Sequence, residues 1–375
     1  MLPSLKVQAR DFHERLSRIK QETALPHETA QWYPWNSLAQ FDVLDGFLKG
    51  DTGGLLRLIG SDPVLDVGCG DGDIAFFLES LGARVDAVDY EPANYNALIG
   101  VRRLREILKS PLTILASDID TQPVFPGDNY GFALMLGVLY HLKNPFLVLE
   151  ALARRARYAF FSTRIAQRGP DRKTDYGQFP VAYLVEEDEL NEDDTNFWIF
   201  TDVGFRRVVR RAGWDVLRYV AVGPVDTSDP ISPQGDARAY ILAKSRLAAV
   251  YRLLDGWHQM EADDWRWTAR RFSVEMDHEL ALENAHLRFA FHLPASVLAA
   301  HPQVRLRAYV AGRELAETAY DTKGNHEYRA AIGALPAGPV RVDFEVDRAL
   351  GPTASDLREL GVRVRFLGPP PVGIA

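Results

Sequence analysis

Val64-Leu65-Asp66-Val67-Gly68-Cys69-Gly70-Asp71-Gly72-Asp73, followed by Ile74-Ala75-Phe76-Phe77-Leu78, decides the fold of this chain. The stretch predicts a short buried strand, a tight turn with three glycines, and the start of an amphipathic helix. Glycine is required where the backbone takes positive φ or lies against a ligand. A turn of this kind aims backbone N–H groups and a helix N-terminus at whatever sits above the strand. A second strand, Arg84 to Asp89, follows and ends in a carboxylate. An acidic residue at that point is placed to accept the hydroxyls of a ribose.

The glycine spacing separates two classes of nucleoside. Dinucleotide folds use G-x-G-x-x-G, with the helix dipole facing a pyrophosphate. Here the pattern is Asp66-x-Gly68-x-Gly70-x-Gly72, with Asp66, Asp71 and Asp73 around the turn. Three carboxylates repel a pyrophosphate and suit a sulfonium or an amino group.

Outward from the turn, the chain alternates strands and helices. Before it, residues 1–30 predict a helix to about Lys20, then a polar link. Trp32, Tyr33 and Trp35 cluster around Pro34. They either pack this segment onto the domain or form a lid over cofactor and acceptor, since Trp and Tyr pair a flat apolar face with a polar edge. After Asp89 come a helix from Asn94 to Leu108, stopped by Pro111, and a strand from Leu112 to Ala116. The run Tyr130 to Leu136 is apolar throughout, as a central parallel strand requires. It leads to Gly137-Val138-Leu139-Tyr140-His141, ahead of a helix that starts near Pro145. Ligands in open α/β sheets sit outside the carboxyl ends of the strands, so Tyr140 and His141 should line the site.

A fifth strand, Tyr158 to Ser162, precedes an insertion over 163–195. This carries Arg164, Arg168, Arg172 and Lys173, then an acid-rich run over 186–194. An insertion at this place lies on the acceptor side, so Arg164 is a candidate to close over substrate; solvated surface is the plainer reading of both charge runs. A helix (202–212) and two strands (215–222 and 238–244) complete a seven-stranded domain. A bridging helix from Leu247 to Leu254 is then expected. Beyond it, segments such as Val304-Arg305-Leu306-Arg307-Ala308 and Val362-Arg363-Val364-Arg365-Phe366 mostly alternate apolar and polar residues, the pattern of an antiparallel β-sandwich. Trp257, Trp265 and Trp267 open that region, as core packing or as a surface for sugar rings.

The D-x-G-C-G-x-G loop followed by a strand ending in Asp89 resembles the class I S-adenosylmethionine (SAM)-dependent methyltransferases over roughly residues 35–245. The resemblance implies an α/β Rossmann-like domain with SAM as methyl donor. It lays Asp66 and the Gly68-Cys69-Gly70 backbone along the methionine part and gives Asp89 the ribose. Tyr90, Asp118 and Ile119 would frame the adenine, while Leu136 and Gly137 approach the donor. Asp66 would orient the loop or meet the amino group through water. His141 is then the candidate general base for a hydroxyl acceptor, with Tyr140 beside it; otherwise it is a histidine at a helix start bonding backbone. The Gly137-to-His141 run, with Asn196-Phe197-Trp198 and Gly213-Trp214, is similar to the branch of tRNA wobble-uridine carboxymethyltransferases, which use a carboxylated SAM. Tyr140 matches one of that branch's carboxylate partners.

The implied organisation is an N-terminal helical or lid segment (1–34), a methyltransferase domain (35–246), a linker helix (247–255) and a β-sandwich (256–375). A chain of 375 residues with 47% hydrophobic content can fill two cores. A net charge of −8 argues against a broad nucleic-acid footprint, though a local basic patch remains compatible with it. No apolar run reaches the ~18 residues of a membrane span, and the segment from Met1 to Lys6 lacks a signal-peptide core. One cysteine, Cys69, forms no internal disulfide, which fits the cytoplasm. The histidines are scattered, with no metal-ligand cluster. Function is therefore expected to be methyl transfer from SAM to a small-molecule or glycan-type acceptor, at oxygen. The alternatives are a tRNA-modifying (carboxy)methyltransferase and a non-catalytic SAM- or glycan-binding module. Acceptor identity and oligomeric state are not encoded in any motif.

Overall fold

The computed structural model describes residues 3–26, 30–127, 129–248, 251–259, 261, 265–278, 282–335, 338–365 and 372–374. The chain divides into two compact units, Met1–Ala248 and Ala249–Ala375.

In the first unit the helices are α1 (Leu5–Glu22), α2 (Phe41–Phe47), α3 (Thr52–Ile59), α4 (Asp73–Ser80), α5 (Ile99–Leu108), α6 (Pro145–Ala153) and α7 (Asp202–Arg211). The strands are β1 (Val64–Val67), β2 (Val85–Asp89), β3 (Thr113–Ala116), β4 (Tyr130–Leu136), β5 (Ala156–Ile165), β6 (Ala182–Leu184), β7 (Trp198–Phe200), β8 (Trp214–Val222) and β9 (Ala237–Ser245). The main sheet runs β3-β2-β1-β4-β5-β9-β8, parallel as far as β5 and antiparallel across β5/β9 and β9/β8. This is the expected Rossmann-like α/β sheet. Its strand order reverses between β1 and β4, where open α/β sheets place their ligands.

Helices cover both faces because the central strands are apolar on both. Val148, Leu149, Phe205 and Val209 of α6 and α7 join Leu65, Val67 and Met135 in one core. Leu5, Leu16, Phe41, Leu55, Phe76 and Val101, from α1 to α5, join Val64, Phe132 and Leu134 in the other. The N-terminal segment is thus part of this domain, with Leu5, Ala9 and Leu16 as its buried stripe. The fit is close: a Cβ on Gly131 of β4 would stand 1.8 Å from the Ile59 carbonyl oxygen, so only glycine lets α3 lie on β4.

Several expectations are corrected. The fifth strand is longer than its apolar centre suggested and reaches Ile165, which makes Arg164 a strand residue. The insertion adds two short strands: β6 pairs with β7, which joins the end of β5 through Ile165 and Phe200. The helix expected from Asn94 begins only at Ile99, since Asn94 and Asn96 turn their side-chain oxygens onto nearby N–H groups and hold a turn instead.

The second unit starts with β10 (Tyr251–Leu253), where the bridging helix was expected; Ala249 and Val250 lie outside the described residues. Tyr251 and Leu253 pack against the sandwich core, and their alternation with Arg252 suits a strand paired to a neighbour. There follow β11 (Trp265–Trp267), β12 (Arg271–His278), β13 (Leu282–Leu293), α8 (Ala295–Ala300), β14 (Val304–Val310), β15 (Arg313–Glu314), β16 (Thr318–Tyr320), β17 (Gly324–Leu335), β18 (Gly338–Val346), β19 (Arg363–Arg365) and β20 (Val372–Ile374). Phe366 of the last expected strand lies outside the described residues. The strands form two antiparallel sheets, β10-β12-β18-β14-β15 with β16, and β11-β19-β13-β17 with β20. Phe289 of one sheet meets Phe272 and Phe344 of the other with ring centroids at 5.4 and 4.7 Å, so the two inner faces close a sandwich. No described helix is long and apolar enough to cross a membrane.

Candidate active site

The glycine turn sits at the carboxyl end of β1. Gly68, Gly70 and Gly72 all have positive φ, +73°, +56° and +84°, which an L side chain adopts only with strain. A Cβ on Gly68 would also stand 2.2 Å from Val138 in the turn after β4. The turn is tied to β2 through Asp89. Its Oδ2 accepts from Gly70 N and from Asn94 Nδ2, each at 2.9 Å, and its Oδ1 accepts from Tyr90 N at 2.8 Å. Burial pushes the Asp89 carboxyl up, against these three donors.

Asp71 and Asp73 do not face an open site. Lys20, at the end of α1, places its ammonium 2.9 Å from Asp71 Oδ2 and 2.8 Å from Asp73 Oδ1. Asp71 also accepts from Tyr33 N at 2.8 Å and from Asn96 Nδ2 at 2.8 Å. Two of the three carboxylates expected to greet a sulfonium are therefore bound to one ammonium of the chain itself. The third, Asp66, is 2% exposed. It faces the Ala75 N–H of α4, and its Oδ2 has no hydrogen-bond partner. Burial first, and the Asp89 charge second, push its carboxyl up to about 7.

Tyr33 lies over the turn, its ring 3.8 Å from where a Cβ would stand on Gly70. Trp35 and Tyr95 surround it at centroid distances of 4.9 and 5.9 Å. Burial, and then Tyr140, push the Tyr33 phenol up to about 12. Trp32 instead packs against the core and donates Nε1–H to the Thr23 carbonyl at 3.0 Å. Trp35 stays 61% exposed. Of the three candidate lid aromatics, Tyr33 is the one whose ring lies nearest to Gly70.

The remaining nucleoside candidates separate. Tyr90 is exposed, its ring at the surface. Asp118 is occupied locally, accepting from Asp120 N and Thr121 Oγ1 at 3.0 Å each. Ile119 is buried in the core, Cys69 is buried with its thiol pushed up by burial, and Leu136 is half-buried against the core.

Across the switch point, Gly137 has φ +76°; a Cβ there would stand 3.6 Å from Arg238 Nη1 and 3.7 Å from Tyr140 Oη. Arg238 comes from β9 and hydrogen-bonds Tyr140; burial works against its charge, and Tyr140 with Asp236 outweighs that and holds its pKa above the ordinary value. Arg164, the expected substrate cover, is 4% exposed and donates to the Asp229 carbonyl at 3.2 Å and to the Ser232 carbonyl. It holds the loop between β8 and β9 rather than covering a substrate.

His141 is fixed by the insertion. Its Nδ1 lies 3.2 Å from the Thr195 carbonyl oxygen and 2.9 Å from Thr195 Oγ1. A carbonyl oxygen only accepts, so Nδ1 carries the proton and Nε2 keeps its lone pair in the neutral ring. The Thr195 hydroxyl donates onward to Asp193 Oδ1 at 2.6 Å. Burial pushes the His141 pKa down, so the ring is neutral at pH 7. His141 thus bonds backbone through Nδ1, and the lone pair of Nε2 stays free of the proton.

The methyltransferase-domain family model matches residues 8–219, more than half of the chain. The chain belongs to the methyltransferase-domain family. Among solved structures, this methyltransferase domain is similar to the N-terminal domain of EvdMO1 with SAH bound, at 14% identity over 62% of this chain and 96% of that one (TM-score 0.41). It is also similar to TehB from Haemophilus influenzae, at 18% identity over 52% of this chain and 62% of that one (TM-score 0.36). Full-length EvdMO1 aligns at 9% identity with 89% of this chain and 97% of its own (TM-score 0.38). No curated protein matches the chain. Family membership makes SAM the cofactor of the methyltransferase domain. The residues fit it. The turn presents backbone close to the ligand space, and Asp89 uses three of about four lone-pair sites, leaving one for a ribose hydroxyl. Accepting both hydroxyls would require Asn94 to release its bond.

Lys20, Asn94, Asn96, Thr195 and Arg238 were not singled out from the sequence. Arg238 carried a signal, as a cation within the apolar strand Ala237-Arg238-Ala239-Tyr240-Ile241. Lys20 carried none: it ends an amphipathic helix where basic residues are ordinary.

Proposed function

We propose that this chain transfers the methyl group of SAM to an oxygen of a small-molecule or glycan-type acceptor. The observation that carries the reading is the positive-φ glycine turn, bonded to Asp89 at the β1/β4 switch point of a methyltransferase-family domain. When bound, SAM supplies a methyl already activated by its sulfonium, so alignment is the main task left to the protein. Asp89 and the turn hold the nucleoside and methionine parts. Tyr33 shields the turn from water. His141 Nε2, left unprotonated because Nδ1 is committed to Thr195, takes the proton of an acceptor hydroxyl, a contribution of about 10²–10⁴ in rate.

The tRNA-modifying alternative, with or without a carboxylated donor, needs a basic surface at the site's mouth. Arg168 and Arg172 are instead paired with Asp175 and Asp229, each at 3.3 Å, and the acid-rich run lies in the same insertion. A glycan-binding module is not favoured by the tryptophans. Trp257 and Trp267 pack on the sandwich core, and Trp265 is flanked by Arg363 and Arg365.

The test is incubation of the protein with methyl-labelled SAM and bacterial extract fractions. Label in the small-molecule or glycan fraction, lost by about a hundredfold or more in His141→Asn with SAM affinity retained, is the expected result. Label in the RNA fraction would replace this reading with the tRNA one, and no transfer to any fraction would favour the binding module.

A further inference from the structure

Arg164 and Arg238 stand directly opposite each other on antiparallel β5 and β9. Directly opposed side chains leave the same face of a sheet, and like charges there destabilise it. Asp236 is the carboxylate between them, 3.9 Å from Arg164 Nε and 3.3 Å from Arg238 Nε, so one positive charge is left in excess. The neighbouring Asp229 faces Arg172.

The two arginines are used differently. The Arg164 side chain is 5% exposed and committed to loop carbonyls. The Arg238 side chain is 34% exposed, and its Nη1 reaches the end of β4 beside the Tyr140 hydroxyl. That places the guanidinium at the end of the strand beside β1, where it acts electrostatically on Tyr33 above the glycine turn. A guanidinium and a phenol beside the end of β4 suit the two oxygens of a planar or tetrahedral anion.

We infer that Arg238, with the Tyr140 hydroxyl, binds a carboxylate or phosphate carried by the methyl acceptor. The inference rests on the methyltransferase reading and narrows its substrate class to anionic acceptors. It accounts for a like-charge pair retained at a sheet end in a chain whose net charge is −8.

The full chain, saturated with S-adenosylhomocysteine, is titrated calorimetrically with malonate, inorganic phosphate and neutral malonamide. Malonate or phosphate is expected to bind at least tenfold tighter than malonamide. Arg238→Gln should abolish that preference while changing S-adenosylhomocysteine affinity less than twofold. Tyr140→Phe, which keeps the ring, should weaken anion binding severalfold and supplies the same test should Arg238→Gln fail to fold. Equal binding of malonate, phosphate and malonamide overturns the inference. So does an Arg238→Gln protein that loses S-adenosylhomocysteine tenfold and keeps the anion preference, because the arginine then serves the cofactor's own carboxylate. If S-adenosylhomocysteine does not bind the wild-type chain, the methyltransferase reading falls first and takes this inference with it.

Discussion

Lys20→Met tests whether the N-terminal helix is part of the cofactor turn rather than an appendage. The ammonium is the ion-pair partner of both Asp71 and Asp73, whose side chains are 1% and 8% exposed. Removing it leaves two buried carboxylates without their cation, and breaking a buried pair from one side costs about 3–5 kcal/mol. Asp71 keeps two hydrogen bonds, from Asn96 and Tyr33, so the lower part of that range is expected. For a unit of this size, each kcal/mol moves the melting temperature by about 2–4 °C, giving a drop of roughly 6–12 °C at pH 7. The pH dependence carries a sign. Burial already raises the Asp73 pKa, and Lys20 opposes it. Without Lys20 the folded pKa rises further, so folded Asp73 takes up a proton at a higher pH. A raised carboxylate contributes stability at low pH that is lost as pH rises through its folded pKa. The deficit of Lys20→Met should therefore shrink between pH 7 and pH 5. Urea unfolding at the two pH values measures it. A variant within 0.5 kcal/mol of wild type at pH 7, or a deficit that grows on acidification, would refute the reasoning.

Asp66 titrates in the folded state at about 7, far above an ordinary carboxylate. Stability should fall as pH rises from about 5 to 7, with a limiting slope of about 1.4 kcal/mol per pH unit; Asp66→Asn should flatten that slope in urea unfolding. Nitrogen-15 NMR of labelled histidine should show His141 neutral at pH 7 with the proton on Nδ1 and a pKa below 6.5, the direction that burial dictates. A proton on Nε2 would remove the proposed base.

The glycine turn and the sheet were legible because they rest on local rules. Positive φ at Gly68, Gly70 and Gly72 follows from the turn type, and the apolar run of β4 follows from burial on both faces. The bridging helix was misread because Tyr251–Leu253 is too short to show a period until it pairs with β12. Arg164 was misplaced because the apolar signal of β5 fades before the strand ends, where Thr163 and Arg164 are buried through tertiary contacts. Lys20 and Thr195 were invisible for the same reason. Lys20 meets Asp71 from 51 positions away and Thr195 meets His141 from 54, and no local pattern encodes a contact of that range.

The account stands on one binding event, so the decisive measurement is calorimetric titration of SAM into the wild-type protein and Asp89→Ala. The account predicts one SAM per chain for wild type. It also predicts an affinity loss of about 1–3 kcal/mol for the variant, the cost of leaving a ribose hydroxyl unpaired. No heat of binding in the wild type, or equal affinity in the two proteins, would contradict it.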